Sequence, residues 1–561
     1  MPHVVIQSCC SDGSCVLACP VNCIHPAPGE PGFAEAEMLY VDASTCVDCG
    51  ACTTACPADA IVPHTTLTPA QQPFLALNAE YFEVFPHADR TPLALVPEKR
   101  RLLRPGPFRV AVVGAGPAGM YAADELLTHP EITVDVYDRL PTPYGLVRFG
   151  VAPDHPHTKQ VQELFADIEK QPGFRYFLGV EVGKDLSHAE LAAQYDAVIY
   201  SVGAASDRPL GVPGDDLPGS ISATDFVAWY NGHPDRQDLA VPLDTRRAVV
   251  VGNGNVALDV ARILTRDPEE LAGTDIATLP LEQLRRSDLE EVVVLGRRGP
   301  GQAAFTVPEL VGLAGLSGIN VVVDTQGAEL DALDDGHDGT KTRLLRELAA
   351  RPVEPGLRTI VLRFLTSPVR VLGEGRVTGI EVGRNRLEVG DDGVARAVPT
   401  GETEVLETGL VLRAVGYHGL PVDDLPYDER TGTVPHDRGR VRPGVYVAGW
   451  VKRGPNGFIG TNKTDAQETV DQLLDDLDRA VTPVPQGDAA SVAALVRARA
   501  PRYVDLAGWQ AIDREERRRG DDQGRARVKI VDVDEAARVA HEARRRPVVA
   551  SGRLVRRRRA G

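Results

Sequence analysis

Residues 108–127 read FRVAVVGAGPAGMYAADELL, and no other stretch restricts the fold as sharply. A short β-rich apolar run, Arg109 to Val113, ends in Gly114-Ala-Gly116-Pro-Ala-Gly119, and a helical pattern follows at once. That order is the strand, tight turn and helix of a dinucleotide fingerprint. Gly114 permits the turn, Gly116 lets the backbone approach a pyrophosphate, and Gly119 lets the helix pack close to the strand. The helix N-terminus then turns unpaired N–H groups and the positive end of its dipole toward the phosphates. The next apolar run, ITVDVYD, ends at Asp138, 24 residues after Gly114, where a carboxylate accepts bonds from ribose hydroxyls. A lone GxGxxG is weak evidence. Strand, helix, second strand and acid in register predict a nucleotide-binding α/β domain.

The pattern occurs twice. RRAVVVGNGNVALDVARIL, from Arg246, supplies a strand, then Gly252-Asn253-Gly254-Asn255-Val256-Ala257, then a helix. Its next strand, EVVVLG, ends in Arg297-Arg298 instead of an acid. An acid there repels a 2′-phosphate and paired guanidiniums bind it, so the second site selects NADP over NAD. An insertion, DPEELAGTDIATLPLEQLRRSDLE, separates helix from strand. YDAVIYSVGA (195–204) and TGLVLRAVGY (408–417) are each a buried strand stopping at a glycine. Two fingerprints with two such endings imply two nested nucleotide domains. VYVAGWVKRGPNGFIGTNKTDAQETV (445–470) adds a strand, a Gly-rich loop and a helix start.

All nine cysteines lie between Cys9 and Cys56. Cys46, Cys49, Cys52 and Cys56, followed by Pro57, have the C-x2-C-x2-C-x3-C-P spacing of a bacterial ferredoxin run. Soft, anionic thiolates suit iron–sulfur clusters. In two-cluster proteins the fourth cysteine of each run serves the other cluster, so Cys46, Cys49 and Cys52 pair with Cys19, and Cys56 crosses back. The upstream copy is imperfect. Cys19-Pro-Val-Asn-Cys-Ile echoes Cys56-Pro-Ala-Asp-Ala-Ile, but only Cys9, Cys10 and Cys15 precede it. Whether Cys9 or Cys10 is the ligand, and whether that cluster has three or four irons, stays open. Zinc is the alternative for these thiols, and the two echoing runs argue against it.

Length and charge fit this organisation. The 561 residues allow three or four domains, and 43% hydrophobic residues supply several cores. A net charge of −18 argues against nucleic acid as the main partner. With no spanning apolar run and no signal-peptide pattern, the expectation is a soluble cytoplasmic protein. Residues 1–89 hold ten acids and no Lys or Arg, which favours docking by complementary charge. The proline-rich stretch 87–107 reads as a semi-rigid linker. Its basic patch, Lys99, Arg100, Arg101 and Arg104, either solvates the linker or contacts the acidic module. The expected division is a ferredoxin-like domain at 1–90, a linker at 91–107, an FAD domain at 108–206 and 409–487, an NADP domain at 207–408, and a helical extension with a basic tail at 488–561.

These motifs together resemble the adrenodoxin-reductase type of ferredoxin–NADP reductase, fused to an N-terminal seven-iron-like bacterial ferredoxin. LPTPYGLVRFGVAPDH, GNGNVALDVAR, GRRGP and AGWVKRGPNGFIGTNK carry the resemblance, with FLALNAEYFEVFP (74–86) matching the ferredoxin's C-terminal wrap. It implies an α/β fold of two nested Rossmann-like domains preceded by a small α+β ferredoxin domain. It implies FAD contacts from Gly119, Asp138, Leu146, Val182, Trp450, and Gly457, Phe458 and Ile459. It implies NADP contacts from Arg208, Asn253 to Val256, Arg297, Arg298, Glu309 and Gly457, and a His–Glu pair near the flavin at His155 and Glu309. Cys23 corresponds to a non-ligand. The expected activity is electron transfer between NADPH, FAD and one 4Fe-4S plus a second 3Fe-4S or 4Fe-4S cluster, with a ferredoxin or haem monooxygenase as acceptor. An electron-input subunit of a larger complex, like the glutamate synthase small subunit, is the alternative. A flavin-dependent disulfide reductase would need a dithiol beside the flavin, and no cysteine follows Cys56.

Overall fold

The computed structural model describes residues 2–91, 93, 100–327, 339–391 and 393–545. Lys99 and the basic end at Arg553 and Arg556 to Arg559 lie outside the described residues.

The N-terminal module is built as a repeat. Helices Ser14–Ala18 and Ala51–Ala55 each start from a left-handed glycine, Gly13 (φ 72°) and Gly50 (φ 73°), and each ends at an extended cysteine, Cys19 and Cys56. The two helices pack on each other. The stretch 74–86 forms the helix Pro73–Val84. Its buried Asn78 accepts from the N–H groups of Val5 and Val41 and donates to the carbonyls of Val5 and Phe74. One side chain thereby satisfies both ends of its amide and ties the helix to two strands, since a buried amide left unpaired would cost about 1–3 kcal/mol.

The first nucleotide domain is a six-stranded sheet in the order Arg440–Arg442, Val445–Val447, Ala197–Tyr200, Phe108–Val113, Ile132–Asp138, Phe174–Leu178. All pairs are parallel except the first. Val110, Val112, Val134 and Val136 are fully buried, as expected for strands covered on both faces. The fingerprint helix Pro117–Leu127 packs against the later helix Thr461–Asp478, which closes the domain across the chain.

The second domain is an all-parallel sheet in the order Ser220–Ser222, Leu410–Arg413, Arg247–Val251, Glu291–Leu295, Arg358–Arg363, Ile319–Asp324. Leu410–Arg413 lies inside this sheet, so the chain returns to the first domain after residue 413 rather than at 409. The two crossing segments pair with each other: Ser206–Asp207 runs antiparallel to Tyr417–His418. A three-stranded antiparallel sheet, Thr366–Leu372, Gly379–Val389 and Ala395–Glu407, is inserted between the parallel strands Arg358–Arg363 and Leu410–Arg413.

The C-terminal extension is helical at Ala489–Arg499, Leu506–Gln523 and Val533–Arg545. It locks the nucleotide domains together through buried charges. Glu516 meets Arg148 at 2.5 Å and Arg527 at 3.1 Å, while Asp275 meets Lys159 at 2.7 Å and Lys529 at 2.9 Å. Removing one member of such a buried set would strand its partner at about 3–5 kcal/mol.

Candidate functional site

At the first fingerprint the turn is set by contacts only glycine tolerates. Gly114 has φ +109°, and a Cβ there would lie 2.5 Å from the Ser201 carbonyl oxygen. A Cβ on Gly119 would lie 1.9 Å from the Gly114 carbonyl. Gly116 is different: its backbone is extended, and an added Cβ meets only Gly145 Cα at 3.9 Å. The helix it precedes has no side-chain cap, so its first N–H groups face the open side of the turn. Asp138 is held by the N–H groups of Ala115 and Leu140, both at 2.9 Å. Burial raises its pKa against those two bonds.

The other residues expected at this site lie on loops around it. Leu146 is half-buried in the short helix Gly145–Phe149, and Val182 sits in the turn after Phe174–Leu178. Trp450 donates from Nε1 to the Asn456 carbonyl and packs against Tyr417, ring centroids 5.0 Å apart. Gly457 takes φ +80°, the Phe458 N–H donates to Thr461 Oγ1, and Ile459 is half-buried beside the helix start.

The second fingerprint repeats the geometry. Gly252 has φ +118°, with a hypothetical Cβ 2.2 Å from the Ala414 carbonyl, and a Cβ on Gly254 meets no atom within 4 Å. Asn253 and Asn255 accept from the N–H groups of Ala304 (3.5 Å) and Thr306 (2.8 Å), fixing the opposite loop, and Val256 is half-buried. Asn385 and the Leu365 N–H hold the Arg297 and Arg298 carbonyls. Among the described residues neither guanidinium has an acidic partner. Arg208 is exposed beside the crossing ribbon, its N–H donating to the Gly416 carbonyl.

His155 and Glu309 come together where the domains meet, with Nε2 3.9 Å from Oε2. Three residues that sequence reasoning did not single out complete the cluster. Arg262 bonds His155 Nε2, Asp259 Oδ1 at 2.5 Å, Asp154 at 2.6 Å and Glu309 Oε2 at 3.4 Å. Asp259 lies 3.3 Å from His155 Nε2. The signal was in GNGNVALDVAR, where Asp259 and Arg262 stand three apart on one helical face. Burial and Arg262 push the His155 pKa down, but Asp259 and Glu309 outweigh them and raise it. Burial and Asp259 raise Glu309. The same Nε2 accepts from Arg262 when neutral and donates to Asp259 when protonated, so the imidazole's charge selects its neighbour. Arg262 already supplies the cation that these carboxylates face, so the cluster needs no metal ion.

The nine thiols divide into two groups. Cys19, Cys46, Cys49 and Cys52 line one small cavity with His3 and Cys23. Cys23 lies beside two of them, its Sγ 3.4 Å from Cys19 Sγ and also next to Cys46. Cys9, Cys10, Cys15 and Cys56 form the second group, with Cys9 and Cys56 close enough to raise both Cys10 and Cys15 beyond the effect of burial. Cys10 is buried against the fingerprint helix, near Tyr121.

The module sits on both nucleotide domains. The Gly460 N–H donates to the Cys10 carbonyl at 2.8 Å, and a Cβ on Gly460 would lie 2.3 Å from Asp12 N. Lys463 bonds Ser14 at 3.1 Å and faces Asp12 at 4.0 Å. Glu37 accepts from the Val307 N–H at 2.7 Å, and Glu80 meets Thr340 and Arg343 at 2.7 and 3.1 Å. The acidic module thus docks by charge, but on the reductase body. The linker patch does something else: Arg100 pairs with Asp475 and Asp478, and Arg104 donates to the Leu477 carbonyl, all on the helix Thr461–Asp478. Of this patch, Arg100 and Arg104 neither merely solvate the linker nor contact the module but anchor the linker to the first domain.

Two nested dinucleotide domains, with an acid at one second strand and free arginines at the other, define an oxidoreductase of the pyridine-nucleotide class, here joined to a thiol-rich carrier. Residues 108–279 match the family described as pyridine nucleotide-disulphide oxidoreductase, and residues 39–62 match the 4Fe-4S binding domain. A protein of Mycobacterium leprae named probable ferredoxin/ferredoxin–NADP reductase is 47% identical over 96% of this chain and 98% of its own. The NADPH-ferredoxin reductase FprA of Mycobacterium tuberculosis is 48% identical over 77% of this chain and 99% of its own. The structure of FprA in complex with NADPH covers 78% of this chain and all of that chain, with a TM-score of 0.75 and 47% identity. The chain belongs to the ferredoxin/ferredoxin–NADP reductase family. The reading as a subunit of a larger complex is not favoured, because relatives of this name match from end to end. No helix among the described residues is long and apolar enough to cross a membrane.

Proposed function

We propose that this chain is a cytoplasmic NADPH-dependent ferredoxin reductase that delivers electrons within one molecule to its own N-terminal module, and from there to a separate ferredoxin or a haem monooxygenase. NADPH gives up a hydride and leaves as NADP+; the hydride's two electrons depart singly to two one-electron acceptors and its proton is released to solvent. FAD, when bound, supplies the step from electron pair to single electrons. The residues present suit these groups. Bare backbone at Gly116 and Gly254, each opening an uncapped helix, can be approached by a pyrophosphate. Asp138 suits a ribose, and Arg297 with Arg298 suits a 2′-phosphate. His155 and Glu309 relay a proton or orient the nicotinamide.

For the clusters, Cys19, Cys46, Cys49 and Cys52 suit a 4Fe-4S centre. Cys9, Cys15 and Cys56 suit a 3Fe-4S centre, with Cys10 outside the ligand set. Cys10→Ser should leave iron content and EPR spectrum unchanged, whereas Cys9→Ser should remove the three-iron signal; the reverse result would exchange their roles.

The observation that carries the intramolecular reading is the seating of the Cys9–Asp12 loop on Gly460, next to the loop that holds Gly457 to Ile459. Rapid mixing with NADPH should show flavin reduction first and cluster bleaching second, at a rate independent of protein concentration. A rate proportional to concentration would mean transfer between molecules and would end this reading.

A further inference from the structure

The module touches the nucleotide site itself, through one side chain. Gln7, between the strand His3–Val5 and Cys9, donates from Nε2 to Glu309 Oε2 at 3.2 Å. It reaches that oxygen by lying across Gly312, where an added Cβ would come within 2.3 Å of Nε2. The helix Val307–Ala314, which carries Glu309, is gripped along its whole length. Glu37 accepts from the Val307 N–H at its start, Gln7 crosses its middle, and Ala70 packs against Gly315 just past its end, where a Cβ would lie 2.9 Å from Ala70 Cβ. The module's apolar residues Leu67 and Phe74 share one continuous core with Leu310 and Leu313 of that helix. Position and orientation of Glu309 therefore depend on the module being seated.

Resting on the proposed role of Glu309, we propose that Gln7 is a positioning residue for that carboxylate, so that the seated ferredoxin module completes the nicotinamide side of the reductase site. The groups facing Glu309 are Asp259 and Arg262 from the helix Asn255–Thr265, His155 from the start of the helix Pro156–Lys159, and Gln7 from the module; Asp154 faces it through Arg262. Among them Gln7 is the one neutral donor. An amide N–H favours the ionised carboxylate without adding charge, and it fixes Oε2 opposite the His155 imidazole. The arrangement makes hydride entry sensitive to the seat of the electron-receiving module.

The sign of the pH effect follows. Burial and Asp259 raise Glu309, while His155, Arg262 and the Gln7 bond pull it down. Loss of the Gln7 bond raises it further. A rate that needs the ionised carboxylate then reaches its plateau at higher pH.

The test uses the full-length holoprotein. Gln7→Met keeps the bulk and removes the donor. Flavin reduction by NADPH at neutral pH should slow about threefold to tenfold, the range of one net hydrogen bond. The acid limb of its pH profile should move upward, with iron content and flavin absorbance unchanged. Glu80→Gln, at the same interface but remote from the pair, should leave the limb in place. In the Glu309→Gln background, Gln7→Met should add no further slowing. An unmoved limb and an unchanged rate in Gln7→Met would overturn the inference. If Glu309→Gln alone leaves flavin reduction intact, the role of Glu309 fails first, and the two failures are told apart by which single variant is silent.

Discussion

At the first fingerprint a Cβ on the third glycine, Gly119, would lie 1.9 Å from the Gly114 carbonyl; at the second, the same position is Ala257, a buried residue of the helix Asn255–Thr265. The first helix approaches its turn more closely than the second. The second strands differ as well. Asp138 ends the first, held by two backbone N–H groups. Arg297 and Arg298 end the second, with Arg297 exposed and neither ion-paired among the described residues. Polar groups already fixed by the backbone suit a cofactor that stays, whereas guanidiniums without an acidic partner suit one that binds and leaves, because their attraction is screened and reversible. The two parallel-sheet domains thereby suit a resident and an exchanging nucleotide.

Gly119→Val is the strongest way to break this contrast. The overlap with the Gly114 carbonyl cannot be relieved by a rotamer change, and overpacking of this kind costs about 3 kcal/mol or more. The purified variant should carry almost no flavin, measured as the flavin-to-protein ratio. Ala257→Gly, the matching change in the second domain, should lose no flavin and cost only about 0.5–1 kcal/mol of stability, as glycine does in a helix. Full flavin content in Gly119→Val would show that the close approach is not what holds the resident nucleotide.

The charge contrast comes next in size. Replacing both Arg297 and Arg298 with Ala removes charged partners of a 2′-phosphate, about 1.5–3 kcal/mol. The ratio of kcat/KM for NADPH over NADH should fall tenfold or more. Raising ionic strength should erode the native preference and leave the variant's ratio flat. A double variant that still prefers NADPH would move the phosphate site elsewhere, with exposed Arg208 as the next residue to replace.

What the chain reveals before folding follows from how local each feature is. Both fingerprints and the Cys46–Cys56 run are contiguous, so spacing alone exposes them. The paired helices with left-handed Gly13 and Gly50 caps bear out the echo between the Cys19 and Cys56 segments. His155 and Glu309 became visible only through family resemblance, since 154 residues separate them. Arg262 was hidden because a buried arginine on a helix announces no long-range partner until Asp154 and Glu309, acids of two other segments, meet it. Gln7 is the extreme case: one polar residue whose partner lies 302 positions away. The sheet 366–407 escaped notice because the outer strand Ala395–Glu407 is largely exposed and lacks apolar alternation. The linker patch carried charge without direction, and its partners on the Asp475–Asp478 turn lie in another domain.

The smallest expected effect separates stability from binding at one atom. Gly254 has φ −88° and ψ −179°, an extended conformation open to any residue, and no atom within 4 Å of an added Cβ. Gly254→Ala therefore strains nothing in the folded chain. It removes conformational freedom from the unfolded one, worth about 0.4–1 kcal/mol in favour of folding. The variant should melt slightly higher than the native protein when no nucleotide is added. Its methyl group, however, points into the space through which a pyrophosphate must approach, so NADPH should bind more weakly and its stabilising effect on the melting curve should shrink. Flavin content should not change, because the resident site depends on Gly116. A rise in melting temperature with undiminished NADPH affinity would mean that the second site holds its nucleotide by the arginines alone, and that the glycine serves only the turn.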